Sequence, residues 1–304
     1  MASTKADTIK CAACGKEGGD SLKACTACKL VKYCNRDCQI AHRPLHKKIC
    51  KKRAAELHDE ALFKEPPPLE CPICFLPLPL EPTRITFKSC CGKIICKGCI
   101  DAMTEEARGR RKIDLCAFCR TPGPTSVSET VKRLNKLIEC NNSYGYFQLA
   151  GYYANGELGM PLDWSKANEL YLKAGELGCA RGYYNLGMSY DRGVGVEVDK
   201  KKAKHYYELA AMNGSVLARY YFGIFEGKAG NEHRAMKHFI LAARAGDKDS
   251  LDKVKDGFMD DDMVTKDEYE STLRAYKQRH DEMKSEGRDI AEAFYEERDA
   301  AGQM

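Results

Sequence analysis

From about residue 143 the apolar positions fall into a helical rhythm with a long period. Asp163, Asp199 and Asn231 each stand four residues before an alanine: Ala167, Ala203 and Ala235. Each alanine is followed at +4 by Tyr171, Tyr207 or Phe239, at +7 by Ala174, Ala210 or Ala242, and at +11 by Gly178, Gly214 or Gly246. Eight residues beyond the first two glycines stand Leu186 and Phe222. The period is 36 residues and then 32, the third unit being four shorter in its inter-helix loop. The chemistry of these offsets predicts helical hairpins. Asp or Asn caps the second helix of each pair. The alanines and the aromatic form one face, small where backbones approach and bulky where space must be filled. Glycine ends the helix in a left-handed turn. Such a hairpin cannot bury its apolar face alone and stacks on its neighbours, so residues 143–258 read as an all-α repeat solenoid. Thr265-x2-Glu268 then reads as a capping box opening charged helices over residues 264–300. These either cover the end of the array or extend into solvent.

The front half lacks this rhythm and is rich in cysteine instead. Fifteen of the seventeen cysteines lie between Cys11 and Cys119, mostly in close pairs. Cys140 and Cys179 stand alone among helix formers and read as buried small apolar side chains. No window offers the ~20 consecutive apolar residues of a membrane helix. The first residues have no apolar stretch ahead of a small-residue cleavage site, so export is not expected. Thiols kept in the cytoplasm or nucleus stay reduced, which makes metal ligation the better account of the pairs. The expected architecture is therefore small zinc-stabilised α+β modules followed by an all-α solenoid.

From Cys11 to Cys50 the spacing supplies eight candidate ligands: Cys11, Cys14, Cys25, Cys28, Cys34, Cys38, His46 and Cys50. A Cys-x2-Cys turn converges two sulfurs on one tetrahedral ion. Cys34/Cys38 and His46/Cys50 are spaced i, i+4, so each pair would share a helix face. His42 is a rival ligand, but only His46 stands i, i+4 from Cys50. Forty residues bury little core, and zinc should contribute ~10–16 kcal/mol per site. This spacing, with Tyr33-Cys34 and Cys38-Gln39 in place, resembles a MYND-type zinc finger over residues 11–50. The resemblance implies interleaved sites, with Cys11, Cys14, Cys34 and Cys38 on one zinc and Cys25, Cys28, His46 and Cys50 on the other. Spacing alone leaves a sequential pairing open. The family commonly holds proline-rich peptides beside its helix. Gln39 matches a position used there, whereas Arg43 and Pro44 stand where a tryptophan usual in the family would supply an aromatic wall.

Residues 51–70 read as a short charged helix, over 51–64, and a linker stiffened by Glu65-Pro66-Pro67-Pro68. Over residues 71–120 a second set of eight sulfurs follows: Cys71, Cys74, Cys90, Cys91, Cys96, Cys99, Cys116 and Cys119. The order resembles a RING finger of the all-cysteine kind. That implies a cross-brace, with Cys71, Cys74, Cys96 and Cys99 on one zinc and Cys90, Cys91, Cys116 and Cys119 on the other. Lys93 stands where the familiar RING has a histidine and is not expected to ligate. Cys90 makes up the number. RING fingers recruit a ubiquitin-conjugating enzyme and act by positioning, with no covalent nucleophile. Ile73 matches the apolar contact for that enzyme, and Arg120 matches the cation that clamps ubiquitin against it. The ordinary roles of these two are a lid over the zinc and a solvated charge.

Leu186-Gly187-x2-Tyr190-x2-Gly193-x-Gly195, leading to Asp199 and Ala203, resembles Sel-one-like repeats, relatives of the tetratricopeptide repeat. Such arrays form concave protein-binding surfaces. The order of the three modules resembles multidomain proteins common in diatoms and related algae.

The formal charge of +5 invites a nucleic-acid reading, but it counts neutral thiols. A tetrathiolate zinc site carries −2 and a three-cysteine, one-histidine site −1, so three of the first and one of the second bring the total to about −2. The basic run Arg108, Arg110, Arg111 and Lys112 lacks interleaved aromatics and reads as a solvated loop rather than a nucleic-acid contact. The repeats leave no room for the methyltransferase domain that sometimes accompanies MYND fingers. The expected function is that of a zinc-binding interaction protein holding four Zn2+ ions and binding protein partners. The leading reading is a RING-type ubiquitin ligase whose repeats select the substrate, and the alternative is a non-catalytic scaffold.

Overall fold

The computed structural model describes residues 9–109, 115–259 and 263–300. The chain divides into two compact units, Met1–Lys64 and Glu65–Met304. The basic run Arg108, Arg110, Arg111 and Lys112 lies outside the residues whose side chains are described.

In the first unit a two-residue hairpin, β1 (Lys23–Ala24) with β2 (Lys32–Tyr33), precedes a single helix, α1 (Arg36–Leu62). The Asn35 side chain caps α1 by accepting from the Cys38 amide at 2.9 Å, one of the amides that the first turn leaves unpaired. The charged segment expected as a separate helix over 51–64 continues α1 without a break as far as Leu62. No glycine or proline stands between Cys50 and Glu65, and Lys51 to Leu62 are mostly strong helix formers. Pro44 lies inside the helix and deprives the exposed Ile40 turn of one bond.

The second unit opens with the other cysteine cluster. A hairpin of β3 (Ile85–Lys88) and β4 (Lys93–Cys96) runs into α2 (Lys97–Gly109). A helix absent from the sequence reading follows, α3 (Val127–Glu139). Then come the stacked hairpins α4 (Ser143–Asn155) with α5 (Trp164–Glu176), α6 (Ala180–Arg192) with α7 (Lys200–Met212), and α8 (Val216–Lys228) with α9 (Glu232–Arg244). α10 (Lys248–Met259) packs on α9.

The repeat positions do what their chemistry requires. Ala167, Ala174, Ala203, Ala210 and Ala242 are fully buried, and Tyr207 and Phe222 nearly so. Gly187 gives the Tyr207 ring its slot: a Cβ there would come within 2.9 Å of that ring. Gly223 does the same for Phe239. Asp163 caps α5 through the Lys166 amide, and Asp199 caps α7 through the Lys201 and Lys202 amides. Asn231 does not cap α9. Its side-chain amide instead donates to Glu226 at 2.7 Å, a buried carboxylate that also pairs with Lys204. Buried charge has first claim on that amide.

The C-terminal helices divide their task. α11 (Lys266–Met283), opened by the Thr265–Glu268 capping box, packs on α9 and α10 and covers the end of the array. After a sharp turn α12 (Glu286–Ala300) leaves the array and packs on α2 of the cysteine cluster. Of the lone cysteines, Cys179 is fully buried, but Cys140 ends α3 and is exposed, correcting its reading as a core residue.

Candidate metal centres

Four of the cysteine pairs share one local geometry. In Cys11–Cys14, Cys25–Cys28, Cys71–Cys74 and Cys116–Cys119 the residue after the second cysteine donates its amide to the carbonyl of the first, each at 2.9 Å. That residue is in the left-handed region: Gly15 at φ 72°, Lys29 at 58°, Phe75 at 58° and Arg120 at 60°. The first cysteine's own amide reaches forward to Lys16, Val31, Leu76 or Thr121 and closes the loop. The turn aims both sulfurs to one side, and at Cys11, Cys25 and Cys71 it directs amides at the first. Only Gly15 adopts this shape freely, and the other three store ~1–2 kcal/mol each.

The sulfurs gather into four tetrads, each with its ligand atoms within 4.8 Å of one another. In the first unit Cys11, Cys14, Cys34 and Cys38 form one, and Cys25, Cys28, His46 and Cys50 the other. Pairs alternate along the chain rather than closing in sequence. Cys14 and Cys34 sulfurs are 3.7 Å apart, as are Cys25 and Cys50, and Cys28 lies 3.1 Å from His46 Nε2. Cys34 precedes the helix rather than sharing its face with Cys38. His42 stays out of the tetrad and contacts the Tyr33 hydroxyl through Nδ1 at 3.1 Å.

In the second unit Cys71, Cys74, Cys96 and Cys99 meet, and Cys90, Cys91, Cys116 and Cys119 meet. Adjacent Cys90 and Cys91 both reach their cluster from the β3–β4 turn, made tight by Gly92 at φ 67°. Cys90 is 3.4 Å from Cys119, and Cys91 is 4.0 Å from Cys116. Lys93 is exposed and lies over the Phe118 ring.

These tetrads fit zinc. Tetrahedral Zn–S bonds of about 2.3 Å place sulfurs roughly 3.8 Å apart, and all seventeen cysteines are free thiols. The electrostatics ask for a cation as well. The Cys14 amide holds the Cys11 thiol down to about 6. At Cys25 burial raises the pKa, but the Cys28 amide and His46 outweigh it and bring the thiol to about 6. The cluster neighbours then suffer. Beside Cys34, the Cys38 thiol is pushed up to about 12, and burial lifts Cys50 to about 11. Burial raises Cys90 and Cys99 far above the ordinary thiol range. Thiols crowded this closely oppose one another's ionisation, and a divalent ion removes that opposition.

One further group reaches the second unit's first tetrad from α12. The Arg288 guanidinium is nearly buried and donates to Cys74 Sγ at 3.3 Å and to the carbonyls of Pro77 and Met283 at 2.8 and 2.7 Å. Gly98 makes room for it, since a Cβ there would lie 2.9 Å from the Arg288 Cα. Around it Lys97 stands over the Tyr295 ring, the Tyr295 hydroxyl bonds Asp101, and Arg84 pairs with Glu292. Arg288 lies more than two hundred residues from Cys74, and no local pattern marks it.

Residues 11–50 match the MYND finger, and residues 143–179, 180–215 and 217–247 match the Sel1 repeat. The chain carries a MYND finger and three Sel1 repeats. Its four Cys/His clusters are suited to Zn2+. An uncharacterized protein of Neisseria meningitidis serogroup B is 33% identical over 78 residues, 26% of this chain and 16% of its own length. A putative sel1-like repeat-containing protein of Acanthamoeba polyphaga mimivirus is 32% identical over 62 residues, 20% of this chain and 12% of its own. The chain therefore spans a small part of these relatives. Among solved structures, a Sel1 repeat protein from Oxalobacter formigenes is 22% identical with a TM-score of 0.44, covering 49% of this chain and 64% of that one. Among the described residues no helix is long and apolar enough to cross a membrane.

Of the other residues singled out, Ile73 is half-buried and packs against the second cysteine cluster. Arg120 is exposed, its backbone fixed by the Cys116 turn and its guanidinium directed to Met103 Sδ at 3.7 Å. On the same turns Phe75 and Phe118 are exposed at 71% and 43%. Phe118 was legible as an apolar residue between two ligands.

Proposed function

We infer that the second cysteine module is a RING-type finger, and that the protein is a ubiquitin ligase working in the cytoplasm or nucleus. Its Sel1 array, with the MYND finger, would select the substrate. The observation that carries the reading is the alternation of the ligand pairs, first with third and second with fourth, around a β-hairpin followed by a helix. The reading gives Ile73 and the exposed phenylalanines an apolar contact with the conjugating enzyme. It gives Arg120 a bidentate contact with ubiquitin carbonyls. Catalysis would be by holding the charged ubiquitin in a reactive geometry, and the chain supplies no nucleophile.

The test is autoubiquitination of the zinc-loaded protein across a panel of conjugating enzymes. Chains should form with wild type and fall by at least about ten-fold in Ile73→Ala and in Arg120→Ala, with zinc content unchanged. Absence of chains with every enzyme would leave the scaffold reading, which the MYND finger and the Sel1 repeats support by themselves.

A further inference from the structure

A cleft of about 530 Å³ opens between β3 and the start of the Sel1 array, within the ~300–1,000 Å³ range of ligand sites. One wall is made by consecutive residues from Ile85 to Cys90. Neighbouring residues of a strand point to opposite faces, so a wall using all of them presents the strand's edge. That edge is open. The sheet has two strands, with β4 on one side of β3 only. Turn bonds engage its ends, the Ile85 amide with the Pro82 carbonyl and the Lys88 carbonyl with the Cys91 and Gly92 amides. Between them, one of Thr86 and Phe87 must direct its amide and carbonyl away from β4, because antiparallel pairs alternate.

The opposite wall is aromatic, from Tyr144, Phe147 and Tyr152 of α4. Charge on the lining is of one sign. Lys88, Arg133 and Arg181 contribute and no carboxylate does. Arg133 is met by Glu129 from outside the cleft. Lys88 and Arg181 have no carboxylate partner among the described residues, and the Arg181 guanidinium lies 4.8 Å over the Phe147 ring.

We propose that this cleft binds an extended peptide of alternating acidic and apolar side chains, added as a third strand on the open edge of β3. The outward amide and carbonyl of that one residue supply backbone pairing, the aromatics of α4 take the apolar side chains, and Lys88 and Arg181 take the carboxylates. Cations and aromatics would also suit a single-stranded nucleic acid, but a sugar-phosphate backbone cannot complete a β ladder. The site holds whether or not the second module is a ligase, so failure of one reading leaves the other standing.

The test is fluorescence anisotropy on the zinc-loaded full chain, with a labelled decapeptide alternating glutamate and phenylalanine. Saturable binding is expected, weakened about ten-fold or more by Lys88→Glu and by Arg181→Glu. A peptide with lysine in place of glutamate should not bind. Methylating the peptide amides along one edge should abolish binding, while methylating those along the other should spare it, which needs no protein variant to fold. The proposal is overturned by no saturable binding, by equal binding of the lysine peptide, by indifference to amide methylation, or by a labelled oligouridylate binding more tightly.

Discussion

In the MYND finger the buried core is Cys11, Leu22, Cys25, Cys28 and Tyr33, so three of its five members are also metal ligands. In the second cysteine module Ile95 is, among the described residues, the one member of the buried cluster that is not a ligand, beside Cys71, Cys96 and Cys116. The Sel1 array buries carbon instead: Ala150, Ala154, Ala167, Tyr171 and Leu186 in its first part, and Ala235, Phe239, Ala243, Val254 and Val264 in its last. The same chain thus folds two regions by different forces. Where the interior is sulfur, burial raises the thiols and sets them against one another until a cation arrives. Where it is carbon, burial itself is the driving force.

The largest effect should separate the two regions outright. Exhaustive chelation should unfold both cysteine modules, each site losing ~10–16 kcal/mol, while the array keeps its helical circular dichroism and its cooperative thermal transition. Unfolding of the array in step with zinc loss would contradict the division. Lowering the pH should act the same way on the modules alone. Zinc retains every ligand as thiolate or neutral imidazole, so retention is full at neutral pH and is lost as acid protonates the ligands. Conversely, zinc uptake near neutral pH should release protons from raised thiols such as Cys38 and Cys50, measurable by calorimetry in buffers of different ionisation heat.

A smaller effect tests the array on its own terms. Tyr207→Ala should cost ~3–5 kcal/mol of array stability through the cavity left against Gly187, read by denaturant unfolding, without altering zinc content. Arg288→Ala tests the contact of α12 with a zinc cluster. It should hasten metal loss from the Cys71–Cys99 tetrad by about ten- to a hundred-fold and leave the other three unaffected, followed with a chromogenic chelator. Equal loss rates at all four sites would remove Arg288 from the account. The smallest effect distinguishes the repeats from each other. Asp163→Ala should cost ~1 kcal/mol by loss of a helix cap, whereas Asn231→Ala removes no cap and should act through Glu226.

Much of this organisation was legible because it is written in short intervals. The alanine, aromatic and glycine offsets report a helix face within fifteen residues, and cysteine spacing reports turns of three. Asn231 misled because identity at a cap position does not reveal a competing buried carboxylate. α3 had a readable signature, Ser126 capping the Glu129 amide ahead of Val127, Val131, Leu134 and Ile138 at helical spacing. The docking of α12 and the seat of Arg288 had none, since those contacts join residues about two hundred apart. The cleft beside β3 is illegible for the same reason: its walls belong to elements that only folding brings together.

The most direct measurement is the cadmium NMR spectrum of the fully cadmium-substituted chain. Interleaved tetrads require four resonances, three from all-sulfur sites and one mixed site whose cadmium couples to His46 and to the Cys25, Cys28 and Cys50 protons, not to those of Cys34 and Cys38. Fewer than four resonances, or a different ratio of all-sulfur to mixed sites, would contradict the ligand sets on which the account stands.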